Sequence, residues 1–219
     1  MTDAPPLLWD DAPGATVTVL LAAGAGADCR SEFLQRTAAA LAQASLRVAR
    51  FDFPYMQQRT AGPRRGPDPT PVLLACMRAA AAATGVPPAR LVLAGKSMGG
   101  RMATMLADEL QVAGVVVFGY PFHPPRQPER LRTAHLLGMR TPCLILQGER
   151  DPFGTAAEIG GYGLAKAIEV DVFTDGDHSL VPRKASGHTA AGHFARAMAR
   201  TIAFARAVTD GNAAGGALA

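Results

Sequence analysis

The chain has 219 residues, of which 48% are hydrophobic and 18% charged, a balance that excludes a disordered chain. Its net charge of +4 comes from 19 Arg and 3 Lys set against 18 acidic residues. The arginines are scattered rather than striped, and only 13 aromatics are present, which speaks against a nucleic-acid binder.

In chain order, Ala15–Ala23 is a first apolar, β-branched run that stops at Gly24-Ala25-Gly26. Ser31–Ala44 reads as a helix that Ser31 can cap, and Leu46–Phe53 as a second strand ended by Pro54. Arg59–Pro69 is too rich in Arg, Gly and Pro to pack as an element and reads as a surface loop. Pro71–Thr84 reads as a helix ended by Gly85. The short strand Leu91–Ala94 runs into Gly95-Lys96-Ser97-Met98-Gly99-Gly100 and a helix over about 98–110. Val112–Phe118, Leu144–Leu146 and Ile168–Phe173 read as further buried strands. Ala185–Val208 reads as the last helix, with a fraying tail from Asp210.

Six strand candidates thus alternate with helices, and most are apolar without alternation, the pattern of strands covered on both faces. The expectation is one α/β domain over 1–209: a doubly wound, mostly parallel sheet of six to seven strands with no cap domain. No apolar run reaches 18 residues, so no transmembrane helix is expected. Met1-Thr-Asp-Ala-Pro-Pro6 does not read as a signal peptide. Cys29, Cys76 and Cys143 match no zinc spacing and suit a reducing compartment. The expectation is a cytoplasmic protein with no membrane partner, no metal and no cofactor.

In sheets of this kind, ligands gather beyond the carboxyl ends of the strands. Gly95-Lys96-Ser97-Met98-Gly99 fits G-x-S-x-G, with a strand before and a helix after, so the Ser97 hydroxyl should project from a tight turn. Asp151 follows the strand ending at Gly148, and His178 follows the last strand. The order Ser, Asp, His is that of the α/β hydrolases. Asp175 and Asp177 belong to the loop of the base and are weaker candidates for the acid.

These pieces resemble the small, lidless α/β hydrolases of the dienelactone-hydrolase-like type. They are most similar to predicted hydrolases with Gly-Lys-Ser-Met-Gly-Gly-Arg, a group that includes testis-expressed hydrolase-like proteins. The resemblance rests on Gly95–Arg101, Phe51–Tyr55, Gly119–Pro125, Gly148–Asp151 and Gly176–Leu180. It implies Ser97 as nucleophile, Asp151 as triad acid and His178 as base. It implies a reaction type and not a substrate; the expectation for the chain is a serine hydrolase acting on a small ester, thioester or lactone through an acyl-enzyme on Ser97. One departure is Ala23-Gly24 where such proteins often carry His-Gly. The oxyanion hole needs backbone N–H groups, and the amides of Met98 and Ala25 would supply them.

Gly24, Tyr55, His123 and Phe153 are expected around the pocket, His123 having a structural turn role as its alternative. Lys96 reads either as a guide for anionic substrates or as the partner of a nearby carboxylate, and Arg64 and Arg65 as rim or solvated loop. His188 and His193 lie five apart on the last helix and read as surface residues. Cys29 reads as a small buried apolar residue. Gly119–Pro142, proline-rich up to Pro128, leaves room over Glu129–Gly138 for only two or three helical turns, too little for a lid. Two competing classes remain to be weighed. A phosphate-binding loop would need Gly where Arg90 stands, and a dinucleotide motif opened by Gly24 meets Cys29 at its third glycine. A non-catalytic scaffold of the same fold has no need of all three groups.

Overall fold

The computed structural model describes residues 4–57 and 66–215, with side chains up to Asp210. The candidate rim residues Arg64 and Arg65 lie outside the described residues. The sheet has seven strands: β1 (Leu8–Asp10), β2 (Thr18–Ala22), β3 (Arg47–Phe51), β4 (Leu91–Lys96), β5 (Gly114–Phe118), β6 (Cys143–Gly148) and β7 (Ile168–Phe173). Their spatial order is β1-β3-β2-β4-β5-β6-β7. All neighbours pair parallel except β1, which pairs antiparallel with β3.

The helices are α1 (Glu32–Gln43), α2 (Pro54–Gln57), α3 (Thr70–Ala83), α4 (Met98–Leu110), α5 (Ala156–Ile159) and α6 (Ala190–Gly215). Side-chain alternation splits the central strands between two cores. Leu20, Leu93 and Val117 join the face packed by α3 and α4. Val19, Leu21 and Val116 join the face packed by α1 and α6. In α1 the buried residues Leu34, Thr37, Ala38 and Leu41 recur at helical spacing, so one stripe faces the sheet.

Several expectations are corrected. The edge strand β1 went unread because it has only three half-buried residues. Its place is set by Asp10, which accepts from Arg50 Nε at 2.8 Å. The last helix starts at Ala190, not Ala185, because Lys184–Ser186 forms a separate 3₁₀ turn closed by Gly187 at φ +78°. It continues to Gly215, through the expected tail. Glu129–Gly138 forms only the 3₁₀ turn Ala134–Leu136. Ser31 occupies the N-cap position of α1, but its side chain makes no capping hydrogen bond.

The join between β4 and α4 is the tightest part of the chain. Ser97 has φ +50° and ψ −113°, a conformation that L side chains rarely adopt. Its amide donates to Phe118 O at 3.1 Å, which ties the turn to β5. A Cβ on Gly99 would lie 2.5 Å from Ala23 O. One on Gly100 would lie 2.8 Å from Gly95 O and collide with Val117 Cγ1. Gly100→Ala therefore sets helix propensity against sterics. Propensity favours Ala by at most about 1 kcal/mol. Overpacking against a backbone carbonyl and a central-strand Val costs about 1–3 kcal/mol. The net expectation is a lower urea midpoint for Gly100→Ala; an unchanged or higher midpoint would contradict it.

Candidate active site

Parallel register brings the carboxyl ends of the strands to one edge, with Ala22 opposite Gly95 and Lys96 opposite Phe118. The loops beyond them carry the three sequence candidates, and their side chains meet. His178 Nε2 lies 2.8 Å from Ser97 Oγ, and His178 Nδ1 lies 2.7 Å from Asp151 Oδ2. An ionised carboxylate only accepts, so the proton of this second bond sits on Nδ1 and Nε2 is left to accept from the serine hydroxyl. Asp151 is fully buried, whereas the His178 side chain is 21% exposed.

The carboxylate of Asp151 is held by more than the imidazole. Oδ1 accepts from the Phe153 amide at 2.9 Å, and Oδ2 accepts from Gln147 Nε2 at 2.9 Å. Gln147 is itself buried, and its Oε1 accepts from the Tyr120 amide at 2.7 Å. Sequence reading missed Gln147. A signal existed: it is the one polar side chain in the apolar strand β6, four residues before the acid. Asp175 and Asp177 do not reach the imidazole. Asp175 accepts from Arg183 Nε and the Arg183 amide, both at 2.6 Å, which hold its carboxyl below the usual range. Asp177 accepts from the amides of Ser179 and Val181. Both shape the loop that carries His178.

The other expected site residues divide. Gly24 is buried, and a Cβ there would sit 3.6 Å from Ser97 Cβ, so it forms part of the floor beside the hydroxyl. Phe153 stacks on the imidazole, with ring centroids 4.3 Å apart. Tyr55 is buried and donates its hydroxyl to Ala25 O at 3.1 Å, so it braces the Gly24–Gly26 turn rather than facing a ligand. Among the described residues, neither the Met98 nor the Ala25 amide has a hydrogen-bond acceptor. His123 is buried with Nδ1 2.8 Å from Pro124 O, and its Nε2 lies 3.4 Å from Glu158 Oε1. That is a turn residue tied to α5, the alternative given above.

Two further readings are corrected. His193 is buried, not on the surface, and its Nδ1 lies 2.8 Å from Leu180 O, which ties α6 to the His178 loop. His188 precedes the helix, and its ring lies 5.3 Å from that of His193. Cys29 is buried as expected, but it is not merely apolar: its amide and thiol both donate to Asp52, and burial pushes the thiol up to about 12.

Lys96 forms no ion pair with a carboxylate among the described residues, although Asp151 and Asp177 lie near enough to act on it. Its ammonium donates to the backbone carbonyl of His178. Burial pulls it down to about 8, while the charges of Asp151 and Asp177 act in the opposite sense. In the unfolded chain this ammonium titrates near ~10.4. Between the two values the unfolded chain holds a proton that the folded chain has released, so this group makes stability rise with pH through that window. The buried thiols and tyrosines titrate alike in wild type and variant and cancel in the comparison. From pH 8 to 10 the urea midpoint of wild type should therefore gain on that of Lys96→Met. Parallel midpoints would show that the ammonium carries no such linkage.

Comparison with known proteins places the architecture. Solved structures of similar fold include an alpha-beta serine hydrolase homologue from Coxiella burnetii, with TM-score 0.61 and 18% identity over 91% of this chain and 88% of that one. A serine hydrolase without lid from Xanthomonas campestris gives 0.60 and 19% over 93% and 87%. A dienelactone hydrolase from Anabaena variabilis gives 0.66 and 22% over 89% and 88%. A search of curated proteins finds no match. The family described as alpha/beta hydrolase domain matches residues 15–206, and its fold supports a hydrolase. With that match over most of its length and the lidless seven-stranded sheet behind it, the chain belongs to the α/β hydrolase family.

Proposed function

We propose that the protein is a serine hydrolase that cleaves a small ester, thioester or lactone through an acyl-enzyme on Ser97. The observation that carries this reading is the unbroken hydrogen-bond chain from Ser97 Oγ through the imidazole to a fully buried carboxylate. Ser97 Oγ attacks the carbonyl carbon as His178 Nε2 takes its proton. The amides of Met98 and Ala25 stabilise the oxyanion that forms. The C–O or C–S bond then breaks, and the imidazolium gives its proton to the leaving group. Water, activated by the same imidazole, attacks the acyl-enzyme and frees the acid. Asp151 holds the imidazole tautomer and stabilises the imidazolium throughout.

The thiols bear on the compartment. Cys29, Cys76 and Cys143 are unpaired and buried, which supports a reducing, cytoplasmic setting. Among the described residues, no helix is long and apolar enough to cross a membrane.

Labelling with a fluorophosphonate probe tests the mechanism. Wild type should label, and the adduct should map to Ser97; a folded wild type that stays unlabelled would point to a non-catalytic scaffold. Ser97→Ala and His178→Ala should each retain under about a hundredth of wild-type ester hydrolysis, because members of such a unit do not act additively. Asp151→Asn should cost roughly 10⁴-fold, through loss of the productive tautomer. A crippled Asp175→Asn or Asp177→Asn beside an active Asp151→Asn would overturn the assignment of the acid.

Substrate size follows from the segment between β5 and β6, whose only regular element is the turn Ala134–Leu136. Without a lid there is no apolar surface for an interface to uncover. Rates on p-nitrophenyl esters should favour short acyl chains and should show no jump above the micelle concentration. An optimum at long chains would refute this part of the proposal.

A further inference from the structure

Arg101, one helical turn beyond Ser97, and Arg132, on the segment after β5, are two cations without an ion pair among the described residues. The Arg101 amide donates to Ser97 O at 2.9 Å. Its side chain lies on the flank of α4 that does not face the sheet, and side chains on a helix lean toward the N-terminus, here toward the site edge. Arg132 comes from the segment after β5 and is fixed through its backbone at both ends. Its amide donates to Phe122 O at 2.7 Å, and its carbonyl accepts from the Tyr120 hydroxyl at 2.8 Å.

A short polar chain joins the two residues: the Tyr120 hydroxyl that meets the Arg132 carbonyl lies 3.4 Å from His135 Nε2, that ring meets Thr104, and the Thr104 hydroxyl donates to Arg101 O at 2.8 Å. Burial and then Arg101 hold Arg132 below its ordinary range, and the same two causes push His135 down to about 4. His135 is therefore neutral, with its Nε2 3.0 Å from Thr104 Oγ1. The Tyr120 hydroxyl is kept protonated by burial, so no negative charge comes from there. Both residues are half-buried, and Arg101 Nε is shielded from solvent with no hydrogen-bond partner among the described residues. Among the described residues, neither guanidinium has an ion pair. Elsewhere on the surface Arg78, Arg183 and Arg200 each take a carboxylate.

Two guanidiniums brought together and partly stripped of water repel each other and leave donors unused. An oxyanion resolves both problems, because its oxygens match the guanidinium fork and its charge meets two cations. We propose that Arg101 and Arg132 form a binding site for an oxyanion, a carboxylate or a phosphate. The anion is either a free ion or a group carried by the substrate. Only the second source rests on the reading of Ser97 as nucleophile.

Thermal unfolding tests the site without reference to catalysis. The probes are inorganic phosphate and succinate at about 10-fold over the dissociation constant, each compared with sodium chloride at equal ionic strength and pH 7.5. Wild type should melt about 3–6 °C higher with at least one of them, the scale for a chain of this size. Arg101→Gln and Arg132→Gln should each lose the rise. Arg130→Gln, whose exposed guanidinium is held by Gln127, should keep it. If one of the first two variants does not fold, the other decides. No rise over chloride in wild type, or an equal rise in a folded Arg101→Gln or Arg132→Gln, overturns the proposal.

Kinetics then separate the sources. Competitive inhibition of p-nitrophenyl acetate hydrolysis by the stabilising anion places it in the substrate path. A melting shift without competition makes it a free ion. A protein that shows the shift but never labels at Ser97 would keep the anion site and lose the proposed chemistry.

Discussion

Everything at the candidate active edge depends on one backbone constraint: the chain must turn from β4 into α4 within a single residue. Ser97 occupies a conformation that costs an L residue of order 1–3 kcal/mol, and the surroundings must hold it there. They do so by proximity. Ala22 and Ala23 carbonyls press on Gly99, Val117 presses on Gly100, and Phe118 O grips the Ser97 amide. The strain is thus offset by the pairing of three central strands, and the serine hydroxyl has little freedom to leave its position. Binding energy need not be spent on ordering it.

The same use of close approach recurs at the imidazole. Gly119 has φ +69°, and a Cβ there would lie 2.6 Å from His178 O. Gly148 likewise packs directly against Asp177 O. These contacts seat the His178 loop on the ends of β5 and β6. Polar contacts then close it from outside. Asp175 binds Arg183, Arg150 Nε donates to Asp175 O, and His193 reaches Leu180 O from α6. Lys96 spends its ammonium inside this frame, on the His178 carbonyl. Its cation therefore serves the loop's position.

The parts legible in the sequence were those whose physics is local. Apolar runs betray central strands, and G-x-S-x-G between a strand and a helix betrays the elbow, because both signals lie within a few consecutive residues. The three side chains that meet were found because each follows its own strand. What escaped depends on distant partners. β1 exists by pairing with β3 and through Arg50, forty residues away. His193 looked like a surface residue because the carbonyl it meets lies on another loop. Tyr55 is expected around the pocket, yet its hydroxyl supports the Gly24–Gly26 turn. Gln147 was passed over inside an apolar strand, although a polar side chain with no solvent to face must be meeting a partner.

The segment between β5 and β6 shows why no lid closes over the site from that side. Its bulky side chains are committed to packing beside the site and not over it. Phe122 packs between Tyr120 and Tyr162, with centroids 4.7 and 4.9 Å away, and crowds Gly154. His135 meets Thr104 on α4, and the Arg140 and Thr141 amides donate to Asp108 on the same helix. A segment tied to α4 through His135, Arg140 and Thr141, and to Gln147 through Tyr120, cannot swing across Ser97 without breaking those contacts. For chemistry that needs exclusion of water such a site would be poor. For the proposed two-step hydrolysis water is the second substrate, and an open approach to the acyl-enzyme serves the step that completes turnover.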